Sequence, residues 1–375
     1  MTGPLSSLKI IEMVGLGPAP LAGQLLGDLG AEVIVIDRKS GDDISREVNR
    51  RGKQSIALNL KSEEGIAVAL DLIKNADVLI EGFRPGVMER LGLSPDISMK
   101  ENPKLIYARM TGWGQEGLLS HSAGHDLNYL AITGALHAMG KKGEPPVPPL
   151  NLVADYGGGS MFLIMGILSA IIERSISGKG QIVDAAMVDG VPAMMGMIHS
   201  MLAQGTWTHH REDNFVDGGA PYYRCYTCAD GNYISVGCIE PQFFAEFLSL
   251  LELDGQLSEM QYDKTHWPML HKLFEDTLAQ KSRNEWAKVF EGTDACVAPV
   301  LNFEEAAVYP HNIERNAFYE ENTVTQASPA PRFDRSTPAR PKPAEKTGAE
   351  ASDILKSIGY DEKTIKALAS KGVLM

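Results

Sequence analysis

Short, almost unbroken runs of aliphatic and β-branched residues alternate with stretches of helical period through the first half of the chain. Residues 8–13 and 32–37 read as buried strands, because a strand covered on both faces loses the alternation of a half-exposed one. Between them, 15–20 predicts a turn and 21–29 an amphipathic helix closed by Gly30. Ser62 is placed to cap a helix running to about Asn75, and strands follow at 77–80 and 105–110. This order predicts a parallel sheet with helices on both faces. Residues 161–172 are almost wholly apolar and are expected to form a buried helix, with Gly178 and Gly180 closing the region. A short strand at 181–184 and a long helix rich in Met187, Met194, Met195, Met197 and Met201 should follow.

The pattern changes near Gly218. Residues 222–227 and 233–237 flank Ala229-Asp230-Gly231-Asn232, a hairpin signal. Helical periods recur at 242–251, 269–280 and 284–290; the Pro-rich stretch 328–343 reads as a connection, and 352–358 and 362–370 as terminal helices. The expected organisation is a large α/β domain over 1–217, a smaller α+β domain over 218–327, and a return segment over 328–375 that rejoins the large domain.

The 375 residues suffice for two cores, and a net charge of −13 argues against non-specific nucleic-acid binding. No apolar run reaches membrane-spanning length without a break, so no membrane association is expected. The first residues lack a signal-peptide pattern, and Cys225, Cys228, Cys238 and Cys296 suggest no disulfide framework; a cytoplasmic protein is expected.

Some motifs lead elsewhere. Gly15-Leu16-Gly17-Pro18-Ala19-Pro20 follows a strand, and Asp37 lies where a dinucleotide fold places its ribose-binding acid. Yet Pro20 replaces the third glycine and Pro18 removes an amide that a phosphate would use, so a tight turn is the better reading. Cys225 and Cys228 sit at odd spacing on a predicted strand, facing opposite ways, and read as structural rather than as a metal half-site. His209-His210 reads as a solvated loop pair. The methionine stripe reads as core, although methionine also suits a surface that accepts flexible acyl chains.

Two other features carry chemistry. Arg38, Lys61, Arg84 and Arg90 sit near predicted strand ends, where open α/β sheets bind ligands, and together they suggest a phosphorylated ligand. His125 in Gly124-His125-Asp126-Leu127-Asn128-Tyr129 precedes a predicted short helix at 127–133, and Asp155 precedes Gly157-Gly158-Gly159 and a helix. A histidine and an aspartate on opposite sides of one carbon could remove a proton from one face and return it to the other, with helix-start amides holding the enolate oxygen. Residue types alone do not separate this from a capping aspartate and a satisfied histidine.

Asp37-Arg38, Asn59-Leu60-Lys61, the run from Gly82 to Gly92, Gly112-Trp113-Gly114-Gln115, the His125 and Asp155 blocks and Gly178-Lys179-Gly180-Gln181 occur in this order. With them the whole chain resembles the α-methylacyl-CoA racemase branch of the family III CoA-transferase superfamily. The resemblance implies an α/β fold of the family III type: a large Rossmann-like CoA-binding domain with a smaller α+β domain, in an interlocked homodimer. It implies racemisation of 2-methylacyl-CoA thioesters, (2R) to (2S), by 1,1-proton transfer through an enolate. No metal and no cofactor are implied, CoA being part of the acyl-CoA substrate. His125 and Asp155 match the two acid–base residues, and Glu240 a glutamate that contacts the histidine from the partner subunit. The CoA thioester is expected to meet Arg38, Leu58, Asn59, Leu60, Lys61, Gly82, Phe83, Arg84 and Arg90. Gly124, Asp126, Leu127, Asn128, Tyr129, Tyr156, Gly157, Gly158, Gly159 and Ser160 complete the expected binding set. Asp126 matches the nucleophile of transferase members, so CoA transfer between carboxylic acids is the alternative; the histidine before it is what marks the racemase branch.

Overall fold

A computed structural model describes residues 3–375. The chain divides into two compact units: 1–133 with 149–194 and 310–375, and 134–148 with 195–309. The second unit thus begins upstream of Gly218 and takes in a separate segment. Its own chemistry explains that segment: the Arg211 guanidinium donates to the carbonyls of His137, Lys141 and Glu144.

The first unit is built on β1 (Lys9–Met13), α1 (Pro18–Asp28), β2 (Glu32–Asp37), β3 (Lys53–Ala57), α2 (Glu63–Lys74), β4 (Val78–Glu81), α3 (Val87–Arg90), α4 (Pro95–Glu101) and β5 (Ile106–Thr111). It continues through α5 (Asp126–Ala131), a π-helix (Leu152–Met161) that runs into α6 (Phe162–Ser177), β6 (Gln181–Ala186) and α7 (Met187–Met194). The six strands are parallel, in the order β3-β2-β1-β4-β5-β6, the Rossmann order. Ser62 caps α2 as its sequence predicts, its hydroxyl accepting from the Gly65 amide at 3.1 Å. Helix α1 starts at Pro18, inside the predicted turn, because the first turn of a helix needs no amide donors and tolerates Pro18 and Pro20.

One expectation fails in this unit. The apolar stretch around α6 is not wholly buried: Leu163, Ile167 and Ala170 are covered, whereas Met165, Ile172 and Ile176 are exposed. Composition shows that a helix is apolar all round but not whether its own chain covers every face. The continuous helix Leu152–Ser177 is long and apolar enough, by length and composition only, to cross a membrane. It packs against α1, β5 and β6.

The second unit contains α8 (Gly196–Ala203), β7 (Tyr223–Thr227), β8 (Tyr233–Gly237), α9 (Pro241–Leu250), α10 (Trp267–Leu278), α11 (Arg283–Val289), β9 (Val297–Pro299) and α12 (Phe303–Val308). The expected long methionine helix is two helices, α7 and α8, broken at Met195 just beyond Pro192 and before Gly196. The hairpin β7–β8 forms as expected, with Thr227 opposite Tyr233. Phe244, Phe247, Phe274, Trp286 and Phe290 make an aromatic core beneath the sheet.

The chain then returns to the first unit as α13 (Pro310–Glu314), the hairpin β10 (Phe318–Glu321) and β11 (Val324–Ala327), α14 (Ala351–Ser357) and α15 (Glu362–Ser370). Ile354, Leu355, Ile365 and Leu368 join α2 in covering one face of the parallel sheet. The last residues lie against the end of β3: Asn59 donates to Val373, and Met375 to Ala57.

Candidate active site

Strand order reverses between β1 and β4, so their carboxyl ends open a crevice rather than meeting across a crossover. A cleft of about 310 Å³ lies there. Leu16, Gly17 and Pro18 from the loop after β1, Gly82, Phe83 and Arg84 from the loop after β4, and Trp113 after β5 form its walls. His125, Tyr129 and Asp155 also line it. A larger cavity, about 630 Å³, lies within the second unit and is lined by Lys141, Glu212, Arg224, Cys225 and Cys296. It holds neither His125 nor Asp155, so we take the smaller cleft as the candidate site.

His125 is the N-cap residue of α5, with an exposed side chain. The Asn128 amide oxygen accepts from the His125 N–H at 3.1 Å, which fixes the backbone from which the imidazole springs. Tyr129 donates to the Gly124 carbonyl and packs edge-on against Trp113, ring centres 4.7 Å apart. Gly112 and Gly124 must lack side chains here, since a Cβ on either would lie within 2.7 Å of the Tyr129 ring.

Asp155 is not set before a helix, as expected, but inside the first turn of the π-helix. Its carboxyl group is half-buried beside Gly17, whose left-handed backbone (φ 72°) brings the α1 loop against it. Burial pushes the Asp155 carboxyl above its ordinary range, and the negative charge of Asp126 adds to this; a hydrogen bond from Asn151 and the charge of His125 oppose it. Asp126 itself is buried, and its Oδ2 accepts from the amides of Ala154 at 3.0 Å and Asp155 at 2.7 Å. Both amides belong to the first helical turn, where they lack intrahelical partners.

The other expected residues are spread over the fold. Arg38, Leu58, Asn59, Leu60 and Lys61 lie on the same carboxyl edge of the sheet, after β2 and β3, with Arg38 over the Phe83 ring at 6.0 Å. Leu58 is buried and pairs with Leu374, while Lys61 and Arg90 are exposed. Leu127 and Asn128 are exposed on α5, and Tyr156 and Gly157 are partly covered. Gly158, Gly159 and Ser160 are buried in helix packing: Ser160 donates to the Pro18 carbonyl at 2.8 Å, and the glycines face α7. Glu240 is exposed at the N-cap of α9, in the second unit. Asp37 is engaged by Arg50 and by the Ser55 hydroxyl at 2.6 Å, which agrees with rejecting a ribose-binding role.

Several contributors escape sequence reading. Trp113 lines the cleft with a buried indole N–H that has no hydrogen-bond partner among the described residues. Glu81, fully buried at the end of β4, accepts from the Phe83 amide at 2.8 Å and from Arg109 Nε at 2.9 Å, so it holds the 82–86 loop. The signal for Glu81 was present: an acid ending an otherwise apolar strand.

A half-buried carboxyl and a histidine thus line one cleft at the carboxyl edge of a Rossmann sheet, where arginines also lie. Residues 5–350 match CoA-transferase family III, and the chain belongs to that family. It is 42% identical over 375 residues to the alpha-methylacyl-CoA racemases of Mus musculus and Homo sapiens, covering 99% of this chain and 97% of each relative. Among solved structures it resembles Rv3272 from M. tuberculosis, with a TM-score of 0.76 and 26% identity over 94% of this chain and 99% of that one.

Proposed function

We propose that this chain is an isomerase that interconverts the (2R) and (2S) forms of 2-methylacyl-CoA thioesters, without cofactor. The observation that carries the reading is that His125 and Asp155 line one cleft and are close enough for the charge of one to act on the other. The full-length identity to two alpha-methylacyl-CoA racemases supports the substrate class. The thioester carbonyl acidifies the α-hydrogen. One of the two residues removes it, an enolate forms, and the other delivers a proton to the opposite face. Each group therefore starts in the form complementary to the other. A carboxyl held above its ordinary range suits the protonated start, because at neutral pH an unperturbed aspartate has no proton to give. The Asp126 amide, at the start of α5, is suited to hold the enolate oxygen.

In this reading CoA lies along the carboxyl edge of the first unit, its phosphates met by Arg38, Lys61, Arg84 and Arg90. The active form is a homodimer in the cytoplasm, in which Glu240 of a second copy supports a protonated His125. The exposed apolar face of α6 supports such an assembly.

The test is a single enantiomer of a 2-methylacyl-CoA incubated in D₂O. Exchange of the α-hydrogen together with loss of optical purity is expected, and both should drop at least 100-fold in His125→Ala and in Asp155→Ala. Absence of exchange and of epimerisation across straight, branched and aryl-substituted 2-methylacyl groups overturns the proposal. CoA transfer to free acids with ping-pong kinetics would instead favour the transferase alternative, with Asp126 as nucleophile.

A further inference from the structure

Asp126 occupies the position that matches the transferase nucleophile, yet its carboxylate is already committed. One oxygen takes the amides of Ala154 and Asp155, 28 and 29 residues further along the chain. The other is buried and has no hydrogen-bond partner among the described residues. To attack a thioester, the group would have to turn its buried second oxygen into a cleft that Asp126 does not line, against the hold of the two amides on the first. We infer that Asp126 is a positioning residue for Asp155: its carboxylate anchors the turn that carries Asp155 and presents a second negative charge to it. The inference rests on the racemase reading, in which Asp155 exchanges a proton with the α-carbon.

The geometry gives this anchor two separable effects. Oxygen lone pairs cap the amides and set where Asp155 stands. The charge, in a half-buried setting, disfavours a second carboxylate beside it and so favours protonated Asp155. The ionisable groups near Asp155 are few. Asp126 and His125 act on it directly, and Tyr129 of α5 feels its charge. Among the other packed elements, Arg109 of β5 and Asp189 of α7 act on Asp184 of β6, and Asp28 of α1 is paired with Arg51. Glu173 and Arg174 lie near the far end of α6, where Arg174 pairs with Asp77.

Asp126→Asn keeps an oxygen for the two amides and removes the charge, whereas Asp126→Ala removes both. The full-length enzyme is assayed for α-deuterium exchange with one enantiomer of a 2-methylacyl-CoA from pH 5 to 9. For Asp126→Asn the limb of the profile that disappears in Asp155→Ala should move toward lower pH, with KM within about twofold of the wild type. Asp126→Ala should lose at least tenfold in kcat, most of it recovered in Asp126→Asn. In the wild type, the peptide carrying the Ala154 and Asp155 amides should exchange slowly, a readout that needs no variant to fold. A profile for Asp126→Asn that superimposes on the wild type, rapid exchange of those amides, or an acyl adduct trapped on Asp126 overturns the inference. Failure of the racemase reading is distinct: the wild type itself would then exchange no α-hydrogen.

Discussion

Glu81 shows how a single buried carboxylate ties the sheet to the site. It is fully buried, and burial pushes its carboxyl up to about 6 from an ordinary 4.5, against the opposing pull of the Phe83 amide and Arg109. A folded-state value above the unfolded one means that the folded protein binds the extra proton. That stabilisation is complete below about pH 4.5 and is lost as pH rises through about 6, which amounts to about 2 kcal/mol. Glu81→Gln cannot titrate. Urea unfolding of both proteins should therefore show the wild type losing about 2 kcal/mol relative to the variant between pH 4.5 and 7.5. A difference that does not change with pH would remove Glu81 from the account. His125 and Asp155 were legible at this scale as candidates, from residue type and neighbouring glycines, and they line one cleft. The grip of Asp126 on the Ala154 and Asp155 amides was not, since hydrogen bonds between residues so far apart leave no local pattern.

At the scale of elements, the helix Leu152–Ser177 is where pattern and structure part most clearly. Its apolar content was visible, and so was the glycine run, but the glycines pointed to a ligand rather than to their use as a crossing point. A Cβ on Gly190 would lie 2.0 Å from the Gly158 carbonyl oxygen, so α7 and the π-helix touch backbone to backbone. No rotamer change can relieve such a clash. Gly190→Ala should cost about 1–3 kcal/mol in denaturant midpoint measurements and lower kcat, because the displaced turn carries Asp155. Gly196→Ala, whose added carbon meets nothing, serves as the comparison and should stay within about 0.5 kcal/mol. The π-helical geometry itself had no signal in the sequence: periodicity distinguishes 3.6 from 2 residues per turn, and ten residues are too few to resolve a wider helix.

Across the whole molecule, the parallel sheet was legible because five of its six strands follow clear runs or caps. Strand β3, with Lys53, Gln54 and Ser55 among its five residues, and the hairpin β10–β11 were missed; both are polar for structural reasons. Lys53 pairs with Glu12 inside the fold at 2.7 Å, and Ser55 serves Asp37. Arg51, just before β3, bonds Asp28 at 2.6 Å and reaches Gln326 at 2.8 Å and the Ala327 carbonyl at 2.7 Å. Arg51→Met leaves Asp28 charged, buried and unpaired, and should cost about 3–5 kcal/mol; adding Asp28→Leu should recover much of it, since no charge then remains inside. Urea titrations of the two variants check this, and equal losses in both would mean that the hairpin bonds dominate.

The same arginine sets a timetable. Its bonds to Gln326 and Ala327 join positions 275 and 276 residues apart, so the first unit stays open until the ribosome has made the whole of the second. At about 5–20 residues per second, roughly a quarter of a minute to a minute passes between the synthesis of Arg51 and that of its last partners. For at least that interval the sheet face that α14 and α15 cover lacks them, since both are made later still. The order in which its segments are translated thus decides how long that apolar face waits for its cover.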